Sequence, residues 1–231
     1  MKKLPKHGKI KSSKYEDYFS NRLTFEPRRK IIWQVLCQYF NKKYIKSTDK
    51  VIELGSGYCD FINQIQAKKK YAVDGFLNPH KYADKNIKCL FQSIEKITNL
   101  PLDYFDVIFA SNLLEHLDDQ QLKNFSVLIQ KILKPGGKLI LLQPNFFYAF
   151  REYFHDYTHQ KIFTHISLSE WLESQNFKII TIKKKFLPFS LKDGLSLKIP
   201  SILLKIILKF YLLSPFKPLA RQMLIITQKN V

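Results

Sequence analysis

Two groups of side chains in this sequence carry acid–base potential near neutral pH. One is His116, inside Asn112-Leu113-Leu114-Glu115-His116-Leu117, and the other is the run His155-Asp156-Tyr157-Thr158-His159. An imidazole changes charge close to neutrality and passes a proton either way with little driving force, so His116, His155 and His159 are candidate general bases. For His116 the plainer role is a helix-cap residue that only packs. The spacing of His155 and His159 would bring both rings to one face of a helix, where with Asp156 they could hold a divalent metal. Thr158 and the aromatic neighbours Tyr153, Phe154, Tyr157 and Phe163 favour another reading, the wall of a pocket for the molecule acted upon, and no metal is expected.

A third set is built from glycines and carboxylates. Val51-Ile52-Glu53-Leu54-Gly55-Ser56-Gly57-Tyr58-Cys59-Asp60 reads as a buried strand, a tight turn and a helix start, the place where open α/β sheets bind ligands. A dinucleotide fingerprint would want a third glycine where this chain has Asp60, an anion that competes with pyrophosphate for the helix amides. No Lys-Ser/Thr pair follows the glycines, as a phosphate-cradling loop requires. A ligand with a nucleoside and a positive centre but no phosphate suits the loop better, with Glu53 and Asp60 facing the cation. Tyr71-Ala72-Val73-Asp74 ends in a carboxylate 19 residues after Gly55, placed to accept both ribose hydroxyls. S-adenosylmethionine has these features; taken alone, the glycines fit an ordinary strand-to-helix turn equally well.

Such residues need a scaffold that brings separate strand ends to one edge. Apolar runs at 50–54, 70–73, 87–91, 105–109 and 138–143 read as strands. Helices at 59–67 and 121–133 lie among them, with Lys134-Pro135-Gly136-Gly137 as stop and turn. After Pro27, the spacing of Ile31, Ile32, Val35, Leu36, Tyr39 and Phe40 predicts a helix with one buried face. Beyond Pro144 an aromatic, His-rich segment at 146–165 leads to a helix at 167–175 and a strand at 177–182. A Leu-, Ile- and Lys-rich run at 186–219 then precedes a last strand at 223–227. Short apolar strands alternating with helices imply an α/β fold: a doubly wound, seven-stranded, mostly parallel sheet with an α-helical insertion before the last strand. The 231 residues fit one such domain at 27–231, preceded by a basic extension at 1–26.

In this arrangement the chain resembles the class I S-adenosylmethionine-dependent methyltransferases. The resemblance rests on four pieces in order: Glu53-Leu54-Gly55-Ser56-Gly57, Val73-Asp74, the stretch Phe105 to Leu117, and Leu133-Lys134-Pro135-Gly136-Gly137-Lys138-Leu139. It implies that Glu53 orders the loop and the methionine amino group. Gly55, Ser56 and Gly57 would pass close to the cofactor, Asp74 would hold the ribose and Phe76 would flank the adenine. Ser93 and Ile94 would lie at the adenine edge, Asn112 and Leu113 by the methionine moiety. Cys59 stands where the family often has a third glycine, and Ser93 where it often has Asp.

The implied activity is methyl transfer to a small-molecule or glycan-type acceptor, because 146–165 resembles acceptor-side loops of methyltransferases that modify sugars. In such a displacement positive charge disperses, and the protein's main work is to hold the acceptor in line and dry. An oxygen acceptor must also lose a proton, a task for His116, His155 or His159. An RNA or membrane-lipid methyltransferase, and a non-catalytic S-adenosylmethionine-binding partner module, are the alternatives.

Charge and cysteine usage bound the partners. Lys and Arg number 38 against 19 Asp and Glu, a net charge of +19. Only Arg22, Arg28, Arg29, Arg151 and Arg221 offer the forked guanidinium suited to phosphates, so nucleic acid is not expected as a partner. No apolar run reaches the roughly 18 residues that cross a bilayer, the amino-terminal lysines precede no apolar leader, and Cys37, Cys59 and Cys89 fit neither disulfides nor zinc. A reducing cytoplasm is the expected home. At 198–213, Lys198, Lys205 and Lys209 share one helix face and apolar residues fill the rest. This predicts a peripheral contact at the inner membrane face, or else a helix clamped over the sheet or across a dimer seam. The sequence assigns no oligomeric state.

Overall fold

Residues 27–188 and 199–230 are described by a computed structural model. The basic extension at 1–26 and Lys198 fall outside them. Helix α1, Pro27–Lys43, buries Ile32, Val35, Leu36, Tyr39 and Phe40 on one face, as their spacing predicts. The chain then alternates β1 (Lys50–Leu54), α2 (Asp60–Gln64), β2 (Lys69–Asp74), β3 (Lys88–Phe91), β4 (Phe105–Ser111), α3 (Asp119–Ile132) and β5 (Leu133–Pro144). After a short helix α4 (Phe146–Ala149) come α5 (His165–Ser174), β6 (Phe177–Pro188), α6 (Ser201–Leu213) and β7 (Ala220–Lys229).

The seven strands form one sheet in the order β3-β2-β1-β4-β5-β7-β6. Strands β1 to β5 pair in parallel, and β7 runs antiparallel to both β5 and β6. The chain steps outward from β1 through β2 to β3, then returns to place β4 on the other side of β1. That reversal opens a crevice beyond the carboxyl ends of β1 and β4.

Each sheet face carries its own core. On one face Phe40 of α1, Phe61 of α2 and Leu204, Leu208 and Leu212 of α6 gather over Phe109 and Ile226. On the other, Phe125 and Ile129 of α3 and Leu168 and Leu172 of α5 pack on Ile108, Leu141 and Ile225. Capping boxes fix where α3 and α5 begin: Asp118 with Gln121, and Thr164 with Ser167.

Several boundaries depart from the sequence expectation by two residues or more, β7 among them at Ala220–Lys229, and three of the departures have a clear local cause. Helix α2 stops at Gln64 rather than near 67, because Ile65 turns extended and the Lys68 amide reaches back to the Asp49 carbonyl to launch β2. Strand β5 starts at Leu133, which pairs with Phe105; the next partners are Lys138 and Val107, so 134–137 bulge out with Gly136 at φ +74°. Strand β6 runs to Pro188 rather than to 182, with Phe186 and Leu187 buried. The insertion expected at 186–219 therefore begins after Pro188. Of it, 189–198 lies outside the described residues, and 199–219 contains α6.

Candidate active site

The loop after β1 sets the floor of the crevice. Gly55 and Gly57 adopt φ +72° and +51°, and the amides of Gly55 and Ser56 both donate to the Val73 carbonyl, at 2.9 and 3.0 Å. A Cβ on Gly55 would meet Leu113 Cδ1 at 3.0 Å, so the end of β1 and the turn after β4 approach as closely as glycine allows. Cys59 holds φ +58° without being glycine, a strain of roughly 1–2 kcal/mol. Its side chain does not crowd the crevice. The buried Sγ lies 3.7 Å from Ser56 Oγ and 3.9 Å from the Pro79 carbonyl oxygen, and burial pushes the thiol up to about 12.

The carboxylates of the loop are spoken for in part. Glu53 is buried, and its Oε2 accepts from the Ile62 amide at 3.2 Å, capping α2 from the neighbouring strand. Burial raises its pKa well above the ordinary range, and the Ile62 amide works against that rise. Asp60, expected to face a ligand's positive centre, instead pairs with Arg29 Nε at 2.8 Å, which pins α1 to the start of α2. Asp74 Oδ2 accepts from the Gly57 amide at 2.8 Å, while Oδ1 accepts from Phe76 at 2.8 Å and Leu77 at 2.9 Å. Burial lifts the Asp74 pKa above its usual value against the pull of these amides. Each carboxylate oxygen has two lone pairs, so Oδ2 keeps capacity for a ligand hydroxyl.

Asp74 thus ties the loops after β1 and β2 together beneath a cavity of about 70 Å³. Six of the sequence candidates line it: Gly55, Asp74, Phe76, Ser93, Ile94 and Leu113. Glu53, Ser56 and Gly57 belong to the loop below. Asn112, at φ +48°, sits beside it and accepts from Gln222 Nε2 at 2.9 Å. Gly75 and Gln92 are among the lining residues that escaped the sequence reading. Gly75 lies where a Cβ would come within 3.0 Å of the Ser93 backbone, and Gln92 has a buried Oε1 without a hydrogen-bond partner. The lone acceptor of Gln92 fits a nucleobase amino group. With Asp74 for a diol and the exposed Phe76 ring beside them, the residues present fit an adenosine.

The turn after β4 builds a second centre. Leu114–His116 form a single 3-10 turn between the cavity-lining Leu113 and Leu117. The segment at 146–165 docks on it: the Gln160 and Lys161 amides donate to the Glu115 carbonyl at 2.7 and 3.1 Å, and Gln160 Nε2 donates to the His116 carbonyl at 2.7 Å. The docking brings His116 and His159 together, with ring centroids 4.9 Å apart, and Tyr153 lies 4.5 Å from His159. His155 is not part of this centre; it is exposed, at the end of a separate 3-10 turn. The expected aromatic wall is also divided: Tyr153 and Phe163 are buried, whereas Phe154 and Tyr157 face solvent.

A hydrogen-bond chain fixes the protons. Thr158 Oγ1 donates to Asp156 Oδ1 at 2.6 Å, and with its one proton committed it accepts from His116 Nδ1 at 2.9 Å. His116 Nε2 lies 4.0 Å from Glu115 Oε1. Burial opposes charge on Asp156, but the Thr158 hydroxyl and amide outweigh it and hold its pKa below the usual range. Glu115 is different. It is buried, among the described residues neither oxygen accepts a hydrogen bond from another residue, and burial pushes its pKa up to about 8. In the sequence its only signal is adjacency to His116.

A family model described as a methyltransferase domain matches residues 27–182. No curated protein matches the chain. Among solved structures, an S-adenosylmethionine-dependent methyltransferase from Archaeoglobus fulgidus superposes with a TM-score of 0.63 at 21% identity, covering 94% of this chain and 99% of that one. The Burkholderia thailandensis 1,6-didemethyltoxoflavin-N1-methyltransferase, solved with S-adenosylhomocysteine, gives 0.58 at 13% identity, covering 100% and 94%. Likeness at these identities speaks to the fold.

Proposed function

The chain belongs to the methyltransferase-domain family, and on that footing we propose that this S-adenosylmethionine-dependent enzyme methylates a hydroxyl-bearing small molecule or glycan. The supporting observation is the oriented imidazole of His116, one turn from the cavity and backed by Thr158 and Asp156. S-adenosylmethionine supplies an electrophilic methyl group. The chain's own residues do the rest. Asp74 Oδ2 takes the ribose hydroxyls, Gln92 Oε1 takes the adenine amino group, and Phe76, Ser93 and Ile94 flank the base. Glu53 braces the glycine loop, and Asn112 and Leu113 border the methionine end. The acceptor lies against the centre at His116 and His159, where its proton is drawn off as the oxygen attacks. His155 lies away from that centre and has no part in this scheme.

Hydroxylated small molecules and saccharides, set against bulk RNA in a radiolabelled methyl-transfer screen, test the acceptor class. Incorporation into RNA alone would overturn it. With a competent acceptor, His116→Gln should lower kcat by roughly 100-fold or more while S-adenosylhomocysteine binding stays within about twofold. Equal turnover by the variant would remove the centre from the chemistry.

A second observation favours contact with an anionic membrane surface. No helix among the described residues is long and apolar enough to cross a membrane. Helix α6 does clamp over the fold through Leu204, Leu208 and Leu212, yet Ile202, Leu203, Phe210 and Leu213 on its other sides are exposed, as are Phe216 and Leu219 beyond it. Cations gather at this end: burial, then Lys183 and Lys43, bring Lys217 down to about 8. An exposed apolar row beside clustered lysines suits headgroups above and acyl chains below. Sedimentation with vesicles rich in anionic lipid tests this contact. Pelleting that falls with Phe210→Ser supports it, and protein left in the supernatant refutes it.

A further inference from the structure

The centre beside the cavity has the composition of a metal site. Glu115, His116 and His159 each present a ligand atom, and these atoms all lie within 4.8 Å of one another. An independent observation concerns the carboxyl group itself. The Glu115 carboxylate is buried and accepts no hydrogen bond from another residue, and among the described residues no Lys or Arg lies within 4.0 Å of it. A buried acid without a hydrogen-bond partner is neutral, is paired or coordinates a metal, and a cation at this place would hold Glu115 as the carboxylate. Among the described residues its near neighbours include the imidazoles of His116 and His159, which carry no fixed charge.

We propose that Glu115, His116 and His159 bind a divalent transition-metal cation. Two imidazole nitrogens and one carboxylate oxygen are the donor set of zinc, manganese or ferrous iron, and they leave coordination positions open for a ligand from outside. A tetrahedral ion with bonds of about 2.0–2.1 Å holds its ligand atoms roughly 3.3 Å apart, so the three side chains need to close by up to about 1.5 Å. His116 is already oriented for this role. Its Nδ1 proton goes to Thr158 and through it to Asp156, the outer-shell bond that holds a ligating histidine in its tautomer. Access is from the His116 side, whose side chain is 16% exposed while those of Glu115 and His159 are 2% and 4% exposed.

This ligand set differs from the His155, Asp156 and His159 grouping suggested by sequence spacing. His155 is exposed and outside the cluster, and Asp156 stands behind the ligands as a support. In its bearing on catalysis the site rests on the proposed methyl transfer: with the ion bound, His116 would serve as a ligand rather than as the base, and the cation would make an acceptor hydroxyl acidic enough to give its proton to water. Cation binding itself does not depend on that reading.

Full-length protein, stripped with EDTA and dialysed, is titrated calorimetrically with zinc, manganese and magnesium, and separately with S-adenosylhomocysteine. One equivalent of zinc or manganese should bind with a dissociation constant on the order of micromolar or below, with magnesium at least about tenfold weaker. Glu115→Gln, which keeps the shape of the side chain, and His159→Gln should each weaken zinc by roughly tenfold or more. Thr158→Val should weaken it about tenfold through loss of orientation, and His155→Ala should leave it unchanged. Less than half an equivalent of zinc at 100-fold the protein's micromolar working concentration, or Glu115→Gln binding like the parent, would overturn the site. Loss of zinc in His155→Ala would overturn it in favour of the alternative grouping. If Glu115→Gln does not fold, His116→Gln decides in the same way, since its side chain is the most exposed of the three. Protein that binds S-adenosylhomocysteine but no zinc sinks the metal site alone; protein that binds zinc but no S-adenosylhomocysteine sinks the methyltransferase reading alone.

Discussion

Replacing Asp74 by Asn changes one oxygen to an amide nitrogen and leaves shape and volume almost untouched, which makes it a sharp probe of the crevice. In the parent, Oδ1 serves the Phe76 and Leu77 amides and Oδ2 serves the Gly57 amide. An Asn oxygen can keep the first two bonds, but its NH₂ then faces the Gly57 N–H, donor against donor. A hydrogen bond to a charged group is worth about 1.5–3 kcal/mol, and an orphaned donor adds to its loss, so the stability cost should be at least about 2 kcal/mol. For a chain of this size that lowers Tm by roughly 4–8 °C. The same NH₂ cannot accept from a ribose hydroxyl, and one lost charge-assisted bond weakens S-adenosylhomocysteine by roughly 10- to 100-fold. Differential scanning fluorimetry and calorimetric titration read the two effects separately. A variant that melts with the parent and binds within about threefold of it would refute both the bracing of the glycine loop by Asp74 and its contact with the sugar.

Further outcomes follow from other contacts. Gly75→Ala places a Cβ 3.0 Å from the Ser93 backbone and should spread the two loops, weakening S-adenosylhomocysteine about tenfold while the far-ultraviolet circular dichroism is unchanged. Arg29→Ala removes the part-buried pair with Asp60 and should lower Tm by roughly 2–4 °C, an effect that Asp60→Asn should not add to. Iodoacetamide at pH 8 should label Cys89 in the native protein and spare Cys37 and Cys59, whose thiols are buried and shifted upward, whereas urea-unfolded protein should be labelled at all three; mass spectrometry of peptides reads the pattern.

The central strands were legible because, Glu53 apart, their buried stretches are apolar. Val51 to Leu54 and Val107 to Ala110 are buried on both faces of the sheet, so the run of residue types carries the burial directly. Strand β6 hid its true length because its middle residues, from Lys178 to Lys185, are half-buried or exposed and rich in lysine, and only the burial of Phe186 and Leu187 against the helices over that face extends it to Pro188. The glycine turn and the placement of Asp74 were legible because they depend on backbone shape and on position at a strand end, both local properties. Asp60 misled for the opposite reason: its partner Arg29 is 31 residues away, on a helix whose docking no local pattern encodes. The contact between His116 and Thr158 spans 42 residues, and the isolation of Glu115 is a property of its surroundings rather than of its type. Gln92 was passed over for the same reason, since a glutamine gains a buried, unpartnered carbonyl in a cavity wall only through the fold.

The placement of β7 between β5 and β6 bears on how the protein is made. In the sheet β6 has β7 as its neighbour, yet β7 follows it in the chain by more than thirty residues. On the ribosome β6 therefore emerges with every backbone donor and acceptor unclaimed, and it stays so until β7 is synthesised and slides in beside β5. In that interval a bare strand ending in Phe186 and Leu187 invites pairing with other nascent chains. The lysines along its length are a natural safeguard, keeping neighbouring polypeptides apart until the gap in the sheet is filled.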